Sequence, residues 1–288
     1  GSYGRGEASS YSDLDLFIVG ISDTDGERLF PNLDEICLKA ELIRSARKKK
    51  FPPFSGDGEY LEHYTVGKLV KSLGTPEDDA TNTFTARLLL LLESKVLVGH
   101  EAYEHAIDST IKAYWRDYEG HEESFLPAFL ANDIIRLWRT FCVNYEARTS
   151  PETDEKKKKR RLKSYKLKHS RLLTCYSALL ALMDTWTRLR TVSPEAARQI
   201  ISMTPTERIE HIRASSQPAV AAALTRMLDH YENFLEATNA PEGQLLEKMG
   251  DERARGDLFD SAEAFGLAVF DAVEALGSKG SFHRMLVV

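Results

Sequence analysis

Gly1-Ser2-Tyr3-Gly4-Arg5-Gly6-Glu7, continued by Ser12-Asp13-Leu14-Asp15-Leu16-Phe17-Ile18-Val19, is the stretch from which the chain reads outward. Its first half is a glycine-rich turn carrying a hydroxyl and an arginine. Glycines let backbone N–H groups approach an anion closely, and a helix opening there adds the positive end of its dipole. The second half predicts a strand. With a side-chain period of two, Asp13 and Asp15 share one face while Leu14 and Leu16 point towards a core. Two adjacent carboxylates repel unless a cation lies between them, and hard oxygen donors suit Mg²⁺.

A lone Gly-x-x-Gly is a common turn and a lone Asp-x-Asp a common surface pattern, but their combination is specific. Gly-Ser, then Gly-Arg-Gly-Glu, then Ser-Asp-x-Asp running into an apolar strand resembles the active-site signature of the polymerase-β-type nucleotidyltransferase superfamily. The extended form is most similar to the branch of the PII uridylyltransferases and their bacterial relatives. The resemblance implies an enzyme that moves a nucleoside monophosphate from a nucleoside triphosphate to a hydroxyl. Asp13 and Asp15 would hold two Mg²⁺ ions. Gly1, Ser2, Gly4, Arg5 and Ser12 would receive the phosphates. A third carboxylate from a later strand acts as general base or orients the acceptor; Glu59, after the Gly56-Asp57-Gly58 turn, is preferred over Asp57 and Glu62. Members of this superfamily carry a further element before the Gly-Ser motif. The chain here starts at the motif, so an N-terminally truncated catalytic domain with a sheet lacking an edge is expected. No His-Asp dipeptide occurs, so a nucleotide-removing activity is not implied.

The 288 residues allow one large domain or two ordinary ones. Hydrophobic residues at 42% and charged residues at 28% fit a globular chain, and a net charge of −6 argues against global affinity for nucleic acid. Cys37, Cys142 and Cys175 are widely spaced, which points to a reducing compartment rather than a disulfide framework or zinc site. The longest apolar run, Leu88 to Leu92, is too short to cross a bilayer, so a cytoplasmic location with no membrane partner is expected.

Along the chain, Ser22 to Gly26 is a polar turn without calcium-loop spacing. Pro31 opens an amphipathic helix with Leu33, Ile36, Cys37, Ala40 and Ile43 on one face and Lys48-Lys49-Lys50 at its end. Ser55 to Tyr64 reads as a turn and a short strand. Thr75-Pro76-Glu77-Asp78 starts a helix expected to run through Leu92 to Lys95, apolar nearly all round and hence a buried spine between domains. From Glu101 the pattern is helical throughout. On the helix from Leu126 to Arg148, Asn132, Arg136, Thr140 and Asn144 form a polar stripe, either a solvated face or a wall of a nucleotide cleft with Arg136 on a phosphate. Pro151 to Arg161 reads as a charged, solvated linker. A helix then opens at Ser164, placing Tyr165, Lys168, His169 and Leu172 on one face, with Lys168 near its anion-favouring N-terminus. Such a cluster would suit base stacking and triphosphate neutralisation, while His169 lacks partners at metal-ligand spacing. The remaining helices read as packing.

The reading is therefore α+β: a small mixed-sheet catalytic domain over residues 1–99, then an all-helical domain over 100–288 closing a cleft between them. The acceptor stays open among a protein side chain, another nucleotide and a nucleic-acid end, with bacterial signalling or anti-phage defence as settings. The basic segment from Lys156 to Arg171 favours a polyanionic acceptor. The competing reading is a catalytically silent protein that binds nucleotide or a partner.

Overall fold

The computed structural model describes residues 1–22, 29–52, 54, 61–146, 153–277 and 280–287. The chain forms two compact units, Gly1–Asp117 and Tyr118–Val288. Helix predominates, and the sheet among the described residues is a two-stranded parallel pair.

Unit 1 starts with a one-turn helix α1 (Ser2–Arg5), followed by β1 (Ile18–Gly20), α2 (Asn32–Lys48) and β2 (His63–Thr65). β1 and β2 pair with Ile18 opposite His63 and Gly20 opposite Thr65. Parallel strands need a crossover, and α2 lies in this one. The expected strand is shorter than its apolar pattern: Asp13 to Phe17 carry no ladder, which opens with the Ile18 N–H donating to the Glu62 carbonyl at 3.4 Å. The short partner β2 limits the pairing.

α3 (Val66–Lys71), α4 (Glu77–Ala80), α5 (Thr83–Glu93) and α6 (His100–Tyr114) complete unit 1. The helix expected from Thr75 to Lys95 is broken in two at Asn82, which adopts a left-handed φ of 55° that asparagine tolerates. The break lets Asp78 turn inward onto Arg87, both fully buried. Arg87 donates to Asp78 Oδ1 (2.9 Å), the Leu69 carbonyl (2.8 Å) and the Tyr114 hydroxyl (3.1 Å). Burial pushes the Asp78 carboxyl up, but hydrogen bonds from Arg87, Thr83 and Ser72 outweigh it and leave it below 3.8. α6 packs on β1 and α3, so it belongs to unit 1, whereas a division after residue 99 would assign it to the helical part.

In unit 2, α7 (Ala128–Glu146), α8 (Asp154–Lys166), a π turn (Leu167–Arg171) and α9 (Leu172–Leu189) come first. They are followed by α10 (Pro194–Ser202), α11 (Pro205–Ser215), α12 (Pro218–Thr238), α13 (Glu242–Gly250), α14 (Glu252–Gly277) and α15 (Ser281–Val287). α9 is apolar around most of its circumference and packs against α7, α10, α11 and α14, which makes it the centre of the unit. The basic run is not a loop. Lys156 to Arg161 lie on α8, capped by the Thr153 hydroxyl and braced by Asp154–Lys157 and Glu155–Lys159 pairs at helical spacing.

The π turn changes the expected Tyr-Lys-His face. Lys168 stays exposed, whereas Tyr165 and His169 are buried in an aromatic cluster. His169 stacks on Phe234 at 4.4 Å and on Phe265 at 5.1 Å, with Nδ1 2.9 Å from the Tyr165 carbonyl. Neither ring is exposed for base stacking. Because α8 runs through the π turn into α9, Lys168 is not near a helix N-terminus and gains nothing from the dipole.

Burial pulls the His169 imidazole down from 6.5 to about 4, against the opposing hydrogen bond to Tyr165. Between those values the unfolded chain binds a proton that the folded chain does not, so stability falls as pH drops from 6.5 towards 4. The full loss is roughly 3 kcal/mol. Urea titrations at pH 7 and pH 5 are expected to show this decline in the wild type and a flatter response in His169→Phe.

Candidate functional site

The Gly1–Glu7 turn is built as expected, but its arginine faces inward. Arg5 N–H donates to the Gly1 carbonyl at 3.2 Å and Glu7 N–H to the Ser2 carbonyl at 2.9 Å, closing one helical turn. Gly6 ends it with φ 76°, a left-handed cap that glycine adopts without a Cβ penalty. This reversal points Glu7 back at Arg5, whose Nε donates to Glu7 Oε2 at 2.7 Å and whose Nη1 donates to Glu93 Oε2 at 2.8 Å. Arg5 is 7% exposed and its charge is answered by two carboxylates. The geometry makes it the anchor of the turn, where the sequence reading has it reaching phosphate.

Glu93, the last residue of α5, holds the turn from below. Its Oε1 accepts from the Gly1 nitrogen, the ammonium at the first residue of the sequence, at 2.8 Å. Gly4 lies against the Glu93 carbonyl so closely that a Cβ there would collide with the oxygen. The Gly1 nitrogen is also 3.9 Å from Asp15 Oδ2, which places the turn beside Asp15. Asp13 and Asp15 are half-buried on the extended segment entering β1. Ser12 is used locally: its Oγ accepts from the Ser9 N–H at 3.0 Å.

Of the third-carboxylate candidates, Glu59 and Asp57 lie outside the described residues. Glu62 is exposed beside β2, and its carboxylate accepts from the Tyr64 hydroxyl at 3.2 Å. Among the described residues no group of three or more His, Cys, Asp or Glu side chains is placed to hold a metal. The donor chemistry nonetheless fits a hard divalent cation. Asp15 stands beside the turn while Glu7 and Glu93 are engaged by Arg5, so Asp13 and Asp15 are the carboxylates whose oxygen chemistry suits such an ion.

The polar stripe of α7 is present as a groove of about 330 Å³ lined by Asn132, Arg136, Arg139, Thr140 and Asn144, with Ile135 and Val143. Arg136 lies 3.7 Å from Asp133. Lys168 is not among the lining residues; its Nζ lies 5.3 Å from the centre of the Phe259 ring. The groove and Lys168 belong to unit 2, and the turn and Asp pair to unit 1.

Two features escape the sequence reading. Glu93 follows the Leu88–Leu92 run, and a lone acid closing an apolar helix was the available signal that a buried cation must meet it. Glu35, on the expected polar side of α2, is buried instead, paired with Lys39 at 2.6 Å and with His63 Nδ1 at 3.2 Å. The Lys39 hydrogen bond holds the Glu35 carboxyl below 4.5 in spite of burial, with the Lys39 and His63 charges adding to it. Comparison with known protein families, with characterised proteins and with solved structures finds no match to this chain.

Removing one partner of a buried ion pair leaves the other charge uncompensated. Glu93→Gln is expected to cost about 3 kcal/mol of stability. Glu41→Gln, which breaks the exposed Glu41–Arg44 pair, is expected to leave stability unchanged. Chemical denaturation of the two variants alongside the wild type checks the contrast.

Proposed function

We propose that unit 1 carries a magnesium-dependent nucleotidyl transfer site, in which a nucleoside monophosphate passes from a nucleoside triphosphate to a hydroxyl acceptor. The observation that supports it most is the apposition of Gly1 and Asp15, so close that a Cβ on Gly1 would collide with the Asp15 carboxylate, which sets a glycine-rich turn beside this half-buried aspartate. Asp13 and Asp15 supply carboxylate oxygens to the divalent ions, which when bound offset phosphate charge and acidify the attacking hydroxyl. The Ser2 hydroxyl and the N–H groups opening α1 receive the outer phosphates. Arg5 acts one layer below, holding the turn in shape through Glu7 and Glu93. Glu59 is the expected carboxylate for the acceptor's proton. The acceptor oxygen bonds to the α-phosphorus as its bond to the pyrophosphate oxygen breaks, and pyrophosphate leaves. Such chemistry rests on positioning and charge stabilisation, so few side chains suffice. Arg136 and Lys168 are assigned no step. No described helix is long and apolar enough to cross a membrane.

Incubation with each labelled triphosphate and Mg²⁺ is expected to yield labelled protein, oligonucleotide or small molecule. Asp13→Asn and Asp15→Asn should each lower that transfer by about 10²-fold or more with the fold retained. Near-normal turnover in either variant would sink the assignment, and triphosphate binding without turnover in the wild type would favour the silent nucleotide-binding reading.

Mg²⁺ and triphosphate share contacts in this site, so together they are expected to raise the melting temperature by more than the sum of their separate effects. Strictly additive shifts in a thermal melt would place them at separate sites.

A further inference from the structure

Helix α2 is inverted. Its inward side carries Glu35, Lys39 and Ala46, while Leu33 is 75% exposed, Ile36 is 54% exposed and Cys37 is exposed. At 100° per residue these three form one stripe with Ala40 and Ile43, the residues a solitary helix would bury. Lone exposed apolar residues are ordinary, but a continuous stripe along a helix marks an interaction surface.

We propose that this stripe joins two copies of the chain, α2 packing antiparallel on α2 of a second copy about a two-fold axis at Ala40. Three observations select that occupant. Ala40 is the midpoint of Asn32–Lys48, and its small side chain lets two backbones approach closely. A two-fold there sets Ala40 on Ala40, Cys37 on Ile43, Ile36 on Arg44 and Leu33 on Arg47, so each apolar residue meets an apolar partner or an arginine stem. Charge selects the direction. The helix opens with exposed Asp34 and closes with Arg47, Lys48, Lys49 and Lys50. Antiparallel pairing brings the acidic end of one copy to the basic end of the other and opposes the dipoles, whereas parallel pairing would stack two basic ends.

Analytical ultracentrifugation of the whole chain at tens of micromolar is expected to give a mass twice its 32.5 kDa. Ile36→Glu, at an exposed position, should leave the circular dichroism and melting temperature unchanged and weaken association by at least about a hundredfold. In a Cys37→Ser background, Ala40→Cys should form a disulfide-linked dimer under mild oxidation. Leu33→Cys should not, since its two copies would stand about 21 Å apart along the helices. A 32.5 kDa species at these concentrations, an Ile36→Glu protein that stays dimeric, or faster linkage at position 33 than at 40 would overturn the proposal. So would a monomer that sediments with vesicles of phosphatidylserine and phosphatidylcholine, which would make the stripe and its lysines a membrane-facing surface.

Discussion

The ion pair between Arg5 and Glu93 is the constraint on which the arrangement of unit 1 turns. A carboxylate at the C-terminal end of a helix faces the negative end of the dipole, and burying it removes its hydration. Glu93 suffers both, at the end of α5, and the Arg5 guanidinium answers it at 2.8 Å. That requirement pins the glycine turn to the helix. Through the 3.9 Å approach of Gly1 to Asp15 it also sets where the turn lies against the aspartates.

The same helix is anchored a turn and a half earlier by Arg87 on Asp78, and the β1–α2–β2 crossover is anchored by Glu35 on His63. Buried charge pairs thus fix several elements of unit 1, beside an apolar core that includes Tyr64, Leu69, Phe84, Leu88 and Leu91. Such pairs add little net stability compared with apolar contacts, but each demands charged partners in a narrow geometry. In unit 2, α9 is wrapped by helices on most sides, and polar side chains that it buries bond to backbone carbonyls of the preceding turn, as Thr174, Ser177 and Thr185 show. The inverted α2 follows its buried pair, Glu35 facing inward to His63.

Much of the local structure was legible in the residues. The Gly1–Glu7 turn, the Pro31 start of α2, the capping box at Thr204 and Glu207 and the helical character of the chain beyond Glu101 follow from side-chain chemistry within a few residues of each position. Of the proposed site, Asp13, Asp15 and the turn stand out in the sequence by type and spacing, and the fold sets the turn beside Asp15.

What tertiary structure alone decided is which way each charged or aromatic side chain faces. Periodicity assigns residues to faces of a helix but not faces to partners. It could not tell that Arg5 would turn from solvent to Glu93, that α2 would bury Glu35 and expose Leu33, or that a π turn would carry His169 into an aromatic core while leaving Lys168 outside. The Thr75–Lys95 helix broke at Asn82 for the same reason: burying Asp78 on Arg87 outweighs one helical turn, and Arg87 is nine residues away. Those choices depend on charges brought together from distant positions. The sequence determines which charges exist, and only the fold determines which of them meet.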